Sequence, residues 1–338
     1  MSGINDAKRF AVVGLAVLCL YSFSRAAQPL RESAEEKHPA AAANELVAAS
    51  PPDYQISIIR APASVSQEWQ ETVFVPSHAD EAVETRISGS AALKNETSYD
   101  VDVSGVIAAG TRLKLPSDGP QILIIHTHSS EAYTPAGLDR YVESDSARTE
   151  DSEHNIIRVG DELARLFEQA GLRVIHDRGV YDYPSYTGSY SRSGAAVERY
   201  LSEYPGISVV LDVHRDALGS DDVIYKTVAE EQGTCASQAM LLVGTDESGL
   251  YHPAWRENLS LALYLQNAVS GAHPTLMRPV ALVPQRYNQQ LSTGMLILEV
   301  GSSGNTMQEA LAAVRLFAEA AAPALLSLVD TAGQGGDY

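Results

Sequence analysis

A short run of branched apolar residues that ends abruptly in polar ones constrains the fold more than any other part of the sequence. Residues 121–134 are QILIIHTHSSEAYT, with four consecutive apolar side chains at residues 122–125. A run this short and branched is typical of a buried strand in a largely parallel sheet. Ligands of open α/β sheets bind beyond the carboxyl ends of the strands, which is where the following polar residues would lie.

Strand and helix patterns alternate from residue 119 onward. Apolar residues recur at helical spacing over residues 155–170 and Gly171 follows them, which predicts a helix that ends there. Further strands are predicted over residues 207–213 and 295–300. A C-terminal helix is predicted from Met307, with an interruption at Pro323. The pattern favours an α/β fold with a twisted, mostly parallel central sheet flanked by helices.

The part of the chain before residue 119 has a different texture. Lys8 and Arg9 precede an apolar run of 14 residues, as at the start of a signal anchor or transmembrane segment. By the positive-inside rule, the rest of the chain would lie outside the cytoplasm. We expect three parts: an anchor over residues 1–27, a linker and small β-rich or partly ordered juxtamembrane segment over residues 28–118, and a catalytic domain over residues 119–330. Within the second part, residues 99–106 suggest a strand.

Charge and cysteine content exclude two classes of function. The net charge is −19, with 43 acidic against 24 basic residues, whereas a general nucleic-acid binder needs clustered Lys and Arg. The sequence has two cysteines, and Cys19 lies in the apolar N-terminal run, which leaves Cys235 without a partner. We therefore expect neither nucleic-acid binding nor a disulfide framework.

Polar residues follow three of the predicted strands. His128 and Glu131 form an H-x-x-E pair after the first strand. His214 follows directly after the strand at residues 207–213, and Glu299 lies near the end of the strand at residues 295–300. Zinc accepts two imidazoles and one carboxylate in catalytic sites and keeps one position open. Because parallel strands emerge on one side of a sheet, we predict that His128, Glu131 and His214 bind zinc. Glu299 would be the free carboxylate that moves protons beside it.

Neighbouring residues leave alternatives open. His126 could replace His128 as a ligand or support it from behind. Asp212 shares a strand face with His214 and would either orient its imidazole or be a solvated carboxylate.

Two further residues have two interpretations each. Arg215 would pair with Asp216 or hold a substrate carboxylate. Glu153, at the start of the first helix, is a second candidate for the carboxylate ligand, although a position at the favourable end of the helix dipole also explains it.

Several motifs in order resemble those of one family. They are ILIIHTHSSEAYTP, NIIRVGDELARLFEQAGLRVIHD, YTGSYSRS, VVLDVHRDA and RYNQQLSTGMLILEVGS. Together with the N-terminal anchor they resemble stage II sporulation protein P, over about residues 95–328. That family is similar to the zinc-dependent N-acetylmuramoyl-L-alanine amidases. The resemblance implies that His128 and His214 are metal ligands and that Glu299 is the catalytic carboxylate, and it favours Glu131 over Glu153 as the third ligand.

The resemblance also implies a biological setting. It predicts an anchored, extracytoplasmic peptidoglycan hydrolase that cuts stem peptides from glycan during engulfment, in the space between the mother-cell and forespore membranes. An additional activity on peptide crosslinks and a partnership with the sporulation protein D lytic transglycosylase are implied as well. Two alternatives remain: a zinc carboxypeptidase, with Arg215 as its cationic clamp, and a non-catalytic scaffold that binds the wall.

Overall fold

A computed structural model describes residues 84–88, 90–219 and 224–330, with backbone alone described for residues 84–88. The predicted anchor at residues 1–27 lies outside these residues. Among the helices that are described, none combines the length and the apolarity needed to cross a bilayer.

The described residues form ten strands, five α-helices and one short 3₁₀ helix. The strands are β1 (Glu84–Ser88), β2 (Ala91–Asn95), β3 (Ile122–Ile125), β4 (Val174–His176), β5 (Val209–Asp216), β6 (Ala229–Glu231), β7 (Thr234–Ala236), β8 (Ala239–Gly244), β9 (Val280–Val283) and β10 (Met295–Ser302). The helices are α1 (Val103–Ala109), α2 (Ile156–Ala170), α3 (Ser189–Glu203), α4 (Trp255–Ala272), α5 (Met307–Leu326) and the 3₁₀ helix Gln289–Leu291.

Eight of the strands form one twisted sheet in the order β1-β2-β9-β8-β10-β5-β3-β4, and β6 and β7 form a separate hairpin. The pairs β1/β2 and β8/β10 are antiparallel. The other neighbouring pairs are parallel. The mostly parallel α/β sheet that the sequence predicts is therefore confirmed, and the strand direction reverses between β10 and β8, so that β8, β9 and β2 run opposite to β10.

The two faces of the sheet are covered differently. The larger core joins Ile124, Leu211 and Leu298 to residues of α2, α4 and α5. The smaller core joins Leu123, Val210 and Met295 to residues of α3. Since side chains alternate between faces along a strand, every second residue of β5 and β10 belongs to the face that α3 covers.

Local sequence explains where the flanking helices begin and end. The Asn155 side chain accepts a hydrogen bond from the Ile157 N–H at the start of α2, and Gly171 ends α2 in the left-handed conformation. A capping box between Thr306 and Glu309 starts α5. The predicted interruption of α5 is wrong, because Pro323 lies in the last turn and the helix continues to Leu326.

The segment before residue 119 contributes to the sheet. β2 pairs in parallel with β9, and β1 extends the sheet beyond it, although both strands fall in the predicted linker and juxtamembrane segment. The predicted strand over residues 99–106 is wrong. Asp102 caps a helix there by accepting a hydrogen bond from the Gly105 N–H, so α1 forms instead.

We predict that Gly160 cannot be enlarged. A Cβ at this position of α2 would lie 2.6 Å from His176 Nε2 and still closer to His126 Nε2, two nitrogens that are 2.8 Å apart. Gly160→Ala should therefore destabilise the fold by about 1–3 kcal/mol, the usual cost of overpacking. Gly271→Ala is the matched control in α4, because nothing lies within 4 Å of its added Cβ. The control should stabilise the protein by about 0.5 kcal/mol. Urea unfolding of both variants tests this, and equal effects would contradict it.

We also predict an acid-sensitive tie between α2 and α5. Glu162 accepts bonds from Arg165 and Arg315, at 2.8 Å and 2.6 Å, and hydrogen bonding by Arg165 and then Arg315 lowers the pKa of Glu162 from 4.5 to about 2. The contribution of ionised Glu162 to the free energy of unfolding should be complete above pH 4.5 and lost as the pH falls towards 2. Glu162→Gln should cost about 0.5–1 kcal/mol at pH 7, since both arginines are half exposed. In urea unfolding, the difference from wild type should shrink at about pH 3, and a difference that grows there would be the opposite of this expectation.

Candidate metal centre

The register of the central strands brings the predicted polar residues to one face of the sheet. In the parallel pairing of β10 with β5, Glu299 is opposite His214 and Ile297 is opposite Asp212. Partners in this pairing share a face, and so do residues two apart along a strand. Asp212, His214 and Glu299 therefore lie together on the α3-covered face.

The chain after β3 is fastened to β5 by Asp212. This fully buried carboxylate accepts hydrogen bonds from the Thr127 N–H at 2.8 Å and from Thr127 Oγ1 at 2.6 Å. One turn follows, in which the Glu131 N–H donates to the His128 carbonyl oxygen at 3.1 Å. The turn carries Glu131 back to β5, where its Oε2 accepts a bond from the Arg215 N–H at 3.2 Å.

His214 lies between the two carboxylates. Its Nδ1 is 3.4 Å from Glu131 Oε2, and its Nε2 is 2.9 Å from Asp212 Oδ1. The second contact is ionic and lacks hydrogen-bond geometry, so Nε2 has no hydrogen-bond partner. The His128 ring meets the His214 ring edge-on, with centroids 5.3 Å apart. The structure thus brings His128, Glu131 and His214 together in a buried cluster.

Burial and charge act in opposite directions on these groups. Burial alone would lower the pKa of His214, but Asp212 and Glu131 raise it well above its ordinary value. Burial would raise the pKa values of Asp212 and Glu131, but contact with His214 holds both below their ordinary values. For His128, burial dominates and lowers the pKa to about 3. His214 is accordingly the cation of the cluster and His128 is neutral.

Glu299 differs from the other carboxylates. Burial, and then the negative charge of Asp216, raise the pKa of Glu299 to about 8, while His214 opposes the shift. Asp216 is itself held by Arg278 at 2.7 Å. The buried Oε2 of Glu299 has no hydrogen-bond partner. A carboxyl with a pKa near neutrality is suited to both accepting and donating a proton.

The donor set at this place is of a kind that zinc accepts. His128 Nδ1 and His214 Nε2 are buried without hydrogen-bond partners, and the Glu131 carboxylate lies beside His214. Buried polar atoms are normally hydrogen-bonded, so His128 Nδ1, which has no hydrogen-bond partner, and His214 Nε2, which has only its ionic contact with Asp212, are candidates to bind a metal ion beside the Glu131 carboxylate. Within residues 90–219 and 224–330, no group of three or more His, Cys, Asp or Glu side chains is already converged on one point. The donors fit zinc in chemical type.

Two other predicted residues have different surroundings. His126 is fully buried, with Nδ1 2.8 Å from the Val213 carbonyl oxygen and Nε2 bound to His176, so neither nitrogen is free for a metal. Arg215 is buried and donates to the carbonyl oxygens of Ala132, Ala147 and Asp216, whereas the Asp216 carboxylate pairs with Arg278.

Glu153 is exposed and borders a surface cavity beside Arg158 and Arg315. This surrounding contrasts with that of Glu131, which is buried against His214.

Four further residues surround the cluster. They are Arg148 and Asp182, which were assigned no role from the sequence, and Tyr186 and Tyr190. Tyr186 stacks on His128 at 4.4 Å between centroids and its hydroxyl lies 2.8 Å from His128 Nε2, while Tyr190 approaches the same ring edge-on at 5.4 Å. The sequence has tyrosines at residues 181, 183, 186 and 190, a pattern that fits either a groove for a sugar or peptide or simple packing of the loop. Arg148 and Asp182 lie in separate loops without periodicity, so no sequence pattern indicates their pairing.

Comparisons with known proteins place the chain in a family. A sequence model described as "Stage II sporulation protein P (SpoIIP)" matches residues 46–322. Stage II sporulation protein P of Bacillus subtilis (strain 168) is 26% identical over 221 residues, which are 60% of this chain and 51% of that protein. The chain therefore spans about half the length of this curated relative.

Solved structures with similarity to the chain include two cell-wall amidases. N-acetylmuramoyl-L-alanine amidase AmiC2 of Nostoc punctiforme is 14% identical, with a TM-score of 0.34, and the match covers 62% of this chain and 98% of that one. The CwlD amidase from Clostridioides difficile, solved in complex with the GerS lipoprotein, is 13% identical with a TM-score of 0.37, covering 62% and 99%. Because the family model matches well over half of its residues, this chain belongs to the stage II sporulation protein P family.

Proposed function

We propose that the chain is a zinc-dependent peptidoglycan hydrolase of spore formation that cleaves the amide between N-acetylmuramic acid and L-alanine. One observation carries the proposal: His128, Glu131 and His214 meet in one buried cluster, and Glu299 projects from the neighbouring strand on the same face. Membership of a sporulation family supports the biological setting. Cleavage of peptide crosslinks is a second reaction open to the same site.

His128, Glu131 and His214 would hold the zinc. When bound, zinc supplies a Lewis acid that polarises the scissile carbonyl and lowers the pKa of a bound water to about 7. Glu299 accepts the proton of the attacking water at a carboxylate oxygen and then donates it to the leaving nitrogen. Tyr186 and Tyr190 cover the His128 ring, which shields this side of the cluster from solvent.

The amidase is favoured over the carboxypeptidase by the surroundings of Arg215. A carboxypeptidase needs a fixed cation for the terminal carboxylate of its substrate, and Arg215 was the candidate. Its guanidinium is buried and donates to three backbone carbonyl oxygens instead. Glu299 disfavours the non-catalytic scaffold. A buried carboxyl whose pKa is raised to about 8 beside such a cluster is typical of a catalytic site and is not needed for binding to the wall.

The remaining parts of the proposal concern location and partners. We propose that the chain is held to the membrane by residues 1–27, acts outside the cytoplasm, and works with the sporulation protein D lytic transglycosylase. The resemblance of the sequence motifs to the family supports these assignments.

Glu299→Gln should abolish cleavage while zinc stays bound. General acid–base catalysis contributes about 10²–10⁴-fold, so hydrolysis of purified peptidoglycan should fall by at least about 100-fold. Wild type should release stem peptides with a new N-terminal alanine, detected by mass spectrometry of the soluble products. Release of free amino acids alone would favour the carboxypeptidase, and normal cleavage by the variant would remove Glu299 from its proposed role.

His214→Ala should remove zinc from the protein. The variant loses one of the three predicted ligands, so its zinc content after dialysis should fall from about one equivalent to near zero. His154→Ala is the control, since His154 is partly exposed and pairs with Asp151. Inductively coupled plasma mass spectrometry gives the readout. Equal zinc content in the two variants would mean that His214 is not a ligand.

A further inference from the structure

A buried ion pair next to the candidate metal centre has no part in the chemistry described so far. Arg148 Nη1 is 2.7 Å from Asp182 Oδ2, and the two side chains are 3% and 0% exposed. Burying two charges costs more than their attraction returns unless further hydrogen bonds compensate. The other partners of each residue therefore indicate what the pair does.

Asp182 holds the turn that carries the predicted ligands. Its carboxylate accepts hydrogen bonds from Ser129 Oγ at 2.9 Å, from the Ser130 N–H at 3.1 Å and from Ser130 Oγ at 2.6 Å. These two serines are the residues between His128 and Glu131. Asp182 thus fixes the backbone that sets the separation of two predicted ligands.

Arg148 extends the same contact to the side chains of those ligands. Its Nη2 is 3.5 Å from Glu131 Oε1. Its guanidinium carbon lies 5.0 Å from the centroid of the Tyr186 ring, and Tyr186 in turn stacks on His128. One guanidinium therefore connects Asp182, the Glu131 carboxylate and the ring that covers His128.

The backbone ties the same two segments together. The Thr149 N–H donates to the Ser130 carbonyl oxygen at 2.8 Å, and the Ala132 N–H donates to the Ala147 carbonyl oxygen at 3.0 Å. These bonds flank Arg148 on both sides. They would hold the loop against the turn even without the charged pair. The ion pair is therefore not needed to attach the loop.

We propose that Arg148 and Asp182 are positioning residues that preset the Glu131 carboxylate and the His128 ring for metal binding. The inference rests on the proposed function, because it takes His128 and Glu131 to be ligands. Groups that orient ligands in this way are typically worth about 10- to 100-fold in metal affinity. A pair that served only to stabilise the loops would leave the affinity of the folded protein unchanged.

The first test is the charge-neutral double variant Arg148→Gln with Asp182→Asn. It leaves no buried charge without a counter-ion, and the carbonyl oxygen of the introduced asparagine side chain can still accept from the two serines. Zinc affinity is measured by competition with a chromophoric chelator, and the ligand field by the visible absorption of the Co²⁺-substituted protein. We expect about 10- to 100-fold weaker zinc binding and an altered cobalt spectrum. Arg173→Gln with Asp118→Asn neutralises an exposed pair and is the control, expected to match wild type in zinc affinity and cobalt spectrum.

A second variant keeps the inference testable if the double variant does not fold. Arg148→Lys retains the positive charge opposite Asp182 but cannot reach Glu131 and Tyr186 at the same time. It should fold, bind zinc several-fold more weakly and shift the cobalt spectrum in the same direction.

The outcomes separate the two proposals. If wild type takes up no zinc or cobalt, the proposed function fails, and the assignment of Arg148 and Asp182 as positioning residues falls with it. If wild type binds zinc while the folded variants bind it equally well and with the same cobalt spectrum, the proposed function stands and the positioning role is overturned.

Discussion

The sharing of one imidazole between two buried carboxylates is the interaction on which the site depends. Asp212 and Glu131 are both buried, and His214 lies within 3.4 Å of each. Isolated carboxylates in such surroundings would be protonated or would admit water. Positive charge at His214, carried by a proton or supplied by a bound metal ion, would let both remain ionised, so that Asp212 can anchor Thr127 and Glu131 can anchor the backbone at Arg215. The turn between β3 and α2 is thereby placed by electrostatics as much as by packing.

The face of the sheet that α3 covers has an apolar part that packs and a polar part that forms the cluster. Leu123, Val210 and Met295 pack against α3, and polar residues follow them along the same rows in β5 and β10. Packing of the apolar residues holds the strands in place. The polar residues farther along the same strands are held rigidly for the same reason. Functional groups on strands are held more precisely than groups on loops. The opposite face, with α2, α4 and α5, carries most of the hydrophobic core.

The sequence predicted those parts of the fold and site that have a period or a local signal. The helix ending at Gly171 and the polar residues at the ends of β3, β5 and β10 belong to this class. Contacts between loops had no such signal: Arg148 and Asp182 are 34 residues apart and meet only because the sheet brings their loops together. The α1 region was misread because its apolar residues fit a strand as well as a helix, and only the cap at Asp102 decides between them.

The strand order separates the outer hairpin, formed by β1 and β2, from the candidate metal centre. β1 and β5 are five steps apart in the sheet, and strands are spaced by about 4.8 Å, which puts roughly 24 Å between them. Mechanical load that reaches the sheet at Glu84 would first be borne by the hydrogen bonds between β1 and β2. Those bonds can lengthen or break at the rim while His214 and Glu299, on interior strands with neighbours on both sides, keep their relative alignment. A displacement of β1 at the rim of the sheet is thus separated from His214 and Glu299 by at least three strands, β2, β9 and β8.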